Sequence, residues 1–309
     1  MSVPNRLSGV LCPVITPFFA DLRPNPDSLI HQCEWLLSQN VGLAVFGTNS
    51  EANSLSVGEK IELLDRLVDA GIDRNRMLPG TGCCALTDTV RLTRHAVNLG
   101  CVGNLMLPPF YYKGVSDDGL FASYAEVIER VGSDELRIYL YHIPPIAQVG
   151  LSIDLIERLV TTYPDTVVGI KDSSGDWNNT RAILEREWDD FRVFAGSESF
   201  LLRNMQNGGA GCISATANVN PAAIDRLFAA WQSAEAAGMQ EDLDAVRDVF
   251  QKYPMIPALK AAVAAFSNDA DWSIVRPPLI ALSGEQQEAL KSELDRMNFE
   301  MPGIVKPVN

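Results

Sequence analysis

Short apolar runs alternate with helical patterns along the first two thirds of the chain. Eight of these runs indicate strands, and each is followed by a segment whose apolar residues recur with the helical period. Apolar runs without an alternating polar face are typical of strands in a parallel sheet that is covered on both sides. The predicted strands are residues 10–16, 43–46, 77–78, 105–107, 138–141, 167–170, 193–194 and 212–214.

Eight strands that alternate with helices predict an α/β fold of the (β/α)8, or TIM barrel, type. A doubly wound sheet is the alternative, but such sheets usually have fewer strands and a glycine-rich fingerprint after the first strand. No G-x-G-x-x-G sequence follows residues 10–16, and after Pro221 the pattern is only helical. We therefore expect a catalytic barrel over residues 1–233 and a helical C-terminal extension, packed on the barrel, over residues 234–309.

Composition and charge exclude several classes of function. The chain has 309 residues, of which 47% are hydrophobic and 21% charged, as in an ordinary globular protein. A net charge of −14 opposes binding to nucleic acid or to an anionic membrane. Residues 1–20 lack a secretory pattern, and no uncharged apolar stretch has the length of a membrane span. We interpret the six cysteines as reduced, buried thiols and expect a cytoplasmic protein.

The predicted strand at residues 167–170 ends abruptly in Lys171, which is the strongest chemical signal in the sequence. In a (β/α)8 barrel, functional residues lie at the carboxyl ends of the strands. Removing an amine from water favours its neutral form, and a neutral amine attacks carbonyl carbons. A lysine whose ammonium simply extends from the strand end into solvent fits the same position. Both interpretations stay open on this strand alone.

The other predicted strand ends carry hydroxyl groups, an amide and small or apolar residues. A phenol beside an amine can move protons during imine formation, and the hydroxyl of Thr48 is a candidate relay. A tyrosine can instead pack into a barrel layer, but two tyrosines at strand ends together with a lysine favour chemistry. These residues are Thr48, Asn49, Tyr111, Tyr141, Gly196 and Ile213.

Metal and phosphate sites are weaker interpretations of the same strand ends. Metal catalysis needs several converging His or carboxylate ligands, and of the three histidines only His142 follows a predicted strand. We therefore expect no metal. Gly208, Gly209 and Gly211 could cradle a phosphate, but a tight turn with close backbone packing explains them as well, and we favour the turn.

Three segments carry a resemblance to a known family. GTNSE at residues 47–51 resembles G-[TS]-T-G-E, and YHIP at residues 141–144 resembles Y-N-x-P. GIKDSS at residues 169–174 resembles G-x-K-[DE]-[SA]-[ST], the segment that holds a Schiff-base lysine. The family is that of dihydrodipicolinate synthase and N-acetylneuraminate lyase, and the resemblance covers residues 7–220 and, less specifically, the helical tail.

The resemblance implies a lyase, a class I aldolase or dehydratase, that acts on pyruvate or a related 2-oxo acid without a cofactor. Lys171 would form the imine, Tyr141 would transfer protons, and Thr48 would relay them. Tyr111 falls where the family has a tyrosine that reaches into a neighbouring subunit's site. We therefore expect a homotetramer built as a dimer of dimers.

The same resemblance places the pyruvate carboxylate on the backbone around Thr48 and Asn49, with Gly196 and Ile213 beside the pocket. An aldehyde would be the second partner in the reaction. A barrel that binds a keto acid without turnover is the non-enzyme alternative, and the joint presence of the lysine, the hydroxyl and both tyrosines argues against it.

Three departures from the family pattern bear on the substrate. Asn49 and Ser50 replace a threonine and a glycine of the first motif, and His142 replaces the asparagine of the second. Ile146 stands where dihydrodipicolinate synthases have an arginine, which can pair with a second carboxylate. Isoleucine cannot do so. We expect His142 and Ile146 to face a neutral partner, which argues against the alternative activity, 4-hydroxy-tetrahydrodipicolinate synthase.

Overall fold

A computed structural model of the protein describes residues 6–305. Residues 1–5 and 306–309, the outer ends of the two predicted domains, lie outside the described residues, and the boundary at residue 233 stays a prediction. The described chain divides into two compact units, which we treat separately. The first unit comprises residues 6–9 and 73–213, and the second comprises residues 10–72 and 214–305.

All paired strands run parallel, as the apolar runs predicted. In the first unit, the last five strands of the chain pair in sequence order. In the second unit, Leu11 and Cys12 pair with the next strand along the chain. The strands are β1 (Gly9–Cys12), β2 (Gly42–Leu43), β3 (Asn104–Met106), β4 (Ile138–His142), β5 (Val167–Asp172), β6 (Arg192–Ala195) and β7 (Gly211–Ile213).

The predicted strand at residues 77–78 is wrong as a regular strand. Met77 and Gly80 instead form only isolated bridges, and that of Gly80 is parallel with Leu105. The amide of Leu105 donates to the carbonyl of Pro79 at 2.9 Å, and the amide of Thr81 donates to the carbonyl of Leu105 at 3.0 Å. Pro79 has no N–H to donate, so a longer ladder is interrupted at this point. Residues 6–305 therefore contain seven strands rather than the predicted eight.

Helices separate the strands along the chain and form most of residues 221–296. Two predicted helix starts are confirmed. Asn25 accepts a hydrogen bond from the Ser28 amide at 3.1 Å, and Ser56 and Glu59 form a capping box. The helices are α1 (Pro26–Ser38), α2 (Val57–Asp69), α3 (Leu86–Asn98), α4 (Asp117–Val131), α5 (Pro144–Ala147), α6 (Ile153–Thr162), α7 (Trp177–Leu184), α8 (Leu201–Gln206), α9 (Pro221–Ala229), α10 (Ala236–Gln251), α11 (Met255–Ser267) and α12 (Gly284–Arg296).

The core of the first unit lies between its sheet and the helices α4 and α6. Leu140 and Ile170 from the strands pack with Val127 and Leu155 from the helices in one buried cluster. Burial of a large aliphatic side chain contributes about 1.5–3 kcal/mol, so this cluster is a main source of stability for the sheet that carries Lys171.

Gly211 shows how tightly the first unit packs near the start of β7. Its φ is 135°, and a Cβ atom there would lie 1.9 Å from the carbonyl oxygen of Gly9. A side chain cannot be accommodated at this distance. Close backbone approach therefore explains this glycine, as we expected, and a phosphate cradle is not required.

The second unit contains the C-terminal helices, whose apolar stripes were visible in the sequence. Leu243, Val246 and Phe250 of α10 are buried, as are Leu290 and Leu294 of α12. None of the helices within residues 6–305 combines the length and the apolar character needed to cross a bilayer.

The prediction that the cysteines are buried is correct for only four of the six. Cys12, Cys33, Cys101 and Cys212 are buried, whereas Cys83 is half-buried and Cys84 is exposed. Residues 83–84 belong to the loop that precedes α3 rather than to an apolar strand, which explains the difference.

Candidate active site

Lys171 and Tyr141 meet at the carboxyl ends of two paired strands. Tyr141 of β4 lies directly opposite Lys171 of β5 in the ladder, so the two side chains point to the same face. The Lys171 Nζ donates a hydrogen bond to the Tyr141 hydroxyl at 3.2 Å and lies 4.3 Å from the centroid of its ring. Each residue is only 2% exposed. The alternative in which Lys171 merely extends into solvent is therefore wrong.

The end of β5 is fixed by Asp172, the residue after the lysine. Its carboxylate is buried and accepts hydrogen bonds from the Ser174 amide at 2.9 Å, the Thr180 hydroxyl at 2.6 Å and the Asn179 side-chain amide at 3.0 Å. A buried carboxylate needs such partners, and together they hold the start of the following loop. Asp172 thereby limits the positions that Lys171 can take.

Gly196 and Ile213 lie at the carboxyl ends of β6 and β7. The amide of Gly196 donates to the Asp172 carbonyl at 2.7 Å, and a Cβ atom at Gly196 would lie at the same distance, 2.7 Å, from that oxygen. Only glycine allows this approach. Ile213 is fully buried, so it can shape a pocket wall but cannot supply a polar contact.

His142 is buried and has a structural hydrogen bond. Its Nδ1 accepts from the Leu151 amide at 2.9 Å. Burial lowers the pKa of His142, and the charge of Asp172 partly opposes this. The ring is therefore neutral near pH 7, and the bond at Nδ1 assigns its proton to Nε2. Within residues 6–305, no group of three or more His, Cys, Asp or Glu side chains is placed to hold a metal ion.

Two predicted site residues of the first unit are exposed. Ile146, in α5, is 65% exposed, and Tyr111 is 74% exposed. Tyr111 packs edge to face with Tyr112, which is equally exposed, at a centroid distance of 5.3 Å. The loop between β3 and α4 is tied to α5, because Lys113 Nζ donates to the Ala147 carbonyl at 2.6 Å.

Thr48 and Asn49 belong to the second unit. Both are half-buried and lie in the 3₁₀ helix Thr48–Ser50. The Ser50 hydroxyl accepts from the Gly47 amide at 3.1 Å, and the Ser50 carbonyl accepts from the Thr16 hydroxyl at 2.7 Å. The serine that departs from the family motif thus braces this loop.

An ion pair that follows this loop was not predicted from the sequence. Glu51 and Lys260 of α11 lie 2.5 Å apart with fully buried side chains. Burial lowers the pKa of Lys260 to about 8, although Glu51 opposes the shift. The available signal was one charged residue, Lys260, inside an otherwise uncharged 13-residue helix. Such a residue is expected to have a buried partner, but the sequence does not say which.

The chain is similar over nearly its whole length to proteins of one family. The model of the dihydrodipicolinate synthetase family matches residues 6–297. An uncharacterised DapA-like lyase of Chloroflexus aurantiacus is 33% identical, and the alignment covers 94% of this chain and 96% of that protein.

Solved structures of proteins from this family superpose closely on the chain. Dihydrodipicolinate synthase from Agrobacterium tumefaciens superposes with a TM-score of 0.87 at 31% identity, covering 94% of this chain and 99% of that one. YagE of Escherichia coli, a prophage protein of the dihydrodipicolinic acid synthase family solved in complex with pyruvate, gives 0.85 at 25% identity over the same shares. The fold is of the (β/α)8 TIM-barrel class with a helical C-terminal part, although residues 6–305 contain seven regular strands and, at Met77 and Gly80, only isolated bridges. This confirms the predicted fold class and excludes a doubly wound sheet.

Proposed function

Because the chain belongs to the dihydrodipicolinate synthetase family, whose members are lyases, we propose that it acts on pyruvate or a related 2-oxo acid through an imine at Lys171. The observation that carries the proposal is the buried hydrogen bond, 3.2 Å long, between the Lys171 Nζ and the Tyr141 hydroxyl. A buried amine beside a phenol is suited to carbonyl chemistry, since the phenol can exchange protons with the groups that the amine creates.

The proposed reaction starts with attack of the Lys171 nitrogen on the C2 ketone. The carbinolamine takes a proton on its hydroxyl and loses water, which gives an iminium ion. In the cleavage direction the C3–C4 bond breaks, its electrons enter the iminium to form an enamine, and the C4 hydroxyl loses its proton as the aldehyde forms. In a dehydration, the iminium instead loses a proton from C3 to form an enamine, and the enamine expels the C4 hydroxyl, which takes up a proton and leaves as water. Tyr141 moves these protons.

The carboxylate of the 2-oxo acid is assigned by resemblance to the loop of Thr48 and Asn49, with Gly196 and Ile213 lining the pocket and Thr48 as the proton relay. The pyruvate bound by the related YagE supports the substrate class. Asn49 can still donate to a carboxylate in place of the family's threonine.

The second substrate is proposed to be a neutral aldehyde. Residues 143–149, which include Ile146, carry no charged side chain, whereas a half-desolvated charge without a partner is costly. His142 and Gln148 are available for hydroxyl groups. Relatives that are named 4-hydroxy-tetrahydrodipicolinate synthase, such as the 31% identical protein of Methanococcoides burtonii, keep that activity as the second candidate.

We predict weak condensation of pyruvate with aspartate semialdehyde, and an increase with Ile146→Arg. A hydrogen bond to a charged group contributes about 1.5–3 kcal/mol, so restoring it should raise kcat/KM by roughly ten- to hundred-fold. The assay measures pyruvate with lactate dehydrogenase and compares kcat/KM for aspartate semialdehyde with kcat/KM for neutral aldehydes and hydroxylated 2-oxo acids. Ile146→Gln is the uncharged control. Efficient turnover of aspartate semialdehyde by the unmodified chain would favour the synthase instead.

A homotetramer, a dimer of dimers, is also proposed. Two tyrosines that are each 74% exposed are unusual on a monomer surface, and symmetric dimers are the commonest way to cover such a patch. Sedimentation velocity should show a tetramer, and Tyr111→Ala with Tyr112→Ala should shift it to smaller species with lower activity. Ile280→Ala, at a position 83% exposed, is the control. A fully active monomer would contradict a site shared between subunits.

We further propose a cytoplasmic location and enzymatic turnover rather than keto-acid binding alone. None of the six cysteines is in a disulfide bond, which fits a reducing compartment. Cell fractionation tests the location. Pyruvate release in the coupled assay distinguishes turnover from binding.

A further inference from the structure

We propose that Glu51 and Lys260 are positioning residues, whose buried ion pair sets the geometry of the Thr48–Asn49 loop and thereby the affinity for the 2-oxo acid's carboxylate. This inference rests on the proposed function. It concerns residues that lie entirely in the second unit, and it gives the C-terminal helix α11 a part in substrate binding.

Glu51 holds the loop in an unfavourable backbone conformation. It follows the 3₁₀ helix Thr48–Ser50 directly and has φ 55° and ψ 32°. These values lie in the left-handed region of backbone conformation, which residues other than glycine rarely adopt. Its side chain is fully buried and both oxygens are bound. Oε1 accepts from the Lys260 Nζ at 2.5 Å, and Oε2 accepts from the Arg276 amide at 3.0 Å. These bonds hold a conformation that the local sequence would not maintain.

Lys260 is itself fixed from several sides. Its Nζ also donates to the Ile274 carbonyl at 2.6 Å and lies 4.4 Å from the centroid of the Phe18 ring. Helix α11, which carries Lys260, packs against the 3₁₀ helix Thr48–Ser50. A cation with this many fixed neighbours gives Glu51 one position rather than a range of positions.

Arg276 binds the segment of the chain that follows Glu51. Its guanidinium donates to both oxygens of Glu59, at 2.5 and 3.1 Å, and to the Ser54 carbonyl at 2.7 Å. This charge-assisted contact lowers the pKa of Glu59 to about 2. The segment from Glu51 to Glu59 is therefore bound at three points to residues 260–276.

A contribution to folding stability does not by itself explain the buried ion pair of Glu51 and Lys260. Replacing a buried ion pair with apolar residues of similar size is often neutral or stabilising, because desolvation offsets the attraction between the charges. What the charges add is direction, since hydrogen bonds fix the orientation of Glu51 more narrowly than apolar contacts would. A misplacement of about 1 Å in a substrate-positioning group can lower the catalytic efficiency about a hundred-fold.

The test compares Glu51→Gln, Lys260→Met and the double variant in full-length protein. Each single variant leaves one buried group without its charged partner and should lower the unfolding temperature, whereas the double variant should recover most of it. The informative readout is the pyruvate concentration that gives half-maximal borohydride trapping at Lys171. We expect it to rise about ten- to hundred-fold in all three variants, with kcat at saturating pyruvate within about three-fold of the unmodified protein. Lys291→Met, which removes an exposed pair with Asp295, is the control.

The outcomes separate this inference from the proposed function. A stable double variant with unshifted half-saturation would show that the pair is only structural and would overturn the inference. If the double variant does not fold, Glu51→Gln decides the question, because it keeps the side-chain volume. Failure of the unmodified protein to be trapped at any pyruvate concentration would overturn the proposed function, and the inference with it.

Discussion

Replacing Lys171 with methionine is expected to lower kcat by about 10⁴-fold or more. Methionine keeps the length and most of the volume of the buried side chain but removes the nitrogen that would bond to the substrate. Loss of a covalent nucleophile removes a whole reaction path, which is why effects of this size are usual for such residues. The measurement is single-turnover and steady-state formation of pyruvate from the best substrate of the panel.

The fold of this variant should be intact. Lys171 is 2% exposed, and an apolar side chain of similar size avoids the cost of a buried amine, so its unfolding temperature should equal or exceed that of the unmodified protein. Lys291→Met, on the exposed face of α12, should retain full activity. More than about 1% residual turnover in Lys171→Met would mean that another group forms the covalent bond.

Tyr141→Phe is expected to lower kcat by about 10²–10³-fold while leaving pyruvate binding nearly unchanged. Phenylalanine retains the ring that lies beside the Lys171 Nζ and removes only the hydroxyl that accepts its hydrogen bond at 3.2 Å. General acid–base catalysis by one group contributes about 10²–10⁴-fold, so a loss in this range indicates proton transfer.

Tyr139→Phe is a matched control for this prediction. Tyr139 lies in the same strand, two residues earlier, and is also buried, but its hydroxyl accepts from the Leu7 amide at 3.1 Å. Its replacement should cost stability, since a partly buried amide loses its partner, while kcat changes by less than about three-fold. Equal losses of activity in the two variants would show that packing in β4, and not proton transfer, explains the effect.

The sequence predicted the features that are encoded locally. An apolar run that ends in Lys171 predicts β5 and places Lys171 at its carboxyl end, because the change from apolar to charged residues occurs within a few positions. The same holds for the capped start of α1 at Asn25. The strand predicted at residues 77–78 was wrong because Pro79, directly after it, has no N–H to donate and interrupts the ladder, a local signal that the apolar run alone does not show.

Contacts between distant positions could not be predicted. Glu51 and Lys260 are separated by 209 positions, and no local pattern links them. The hydrogen bond of His142 could not be predicted either. Its position in the sequence suggests a substrate contact, whereas its Nδ1 accepts from the Leu151 amide. In both cases the decisive quantity is which buried polar groups meet, and that is settled only when the chain has packed.

Lys171 is expected to form an imine with a 2-oxo acid, and borohydride reduction in the presence of pyruvate would trap that imine. Intact-mass measurement followed by peptide mapping should show one reduced pyruvoyl group per chain, on the peptide that contains Lys171, and no adduct in Lys171→Met. An unchanged mass after reduction, or an adduct located on Lys260 or another lysine, would show that Lys171 does not form the imine.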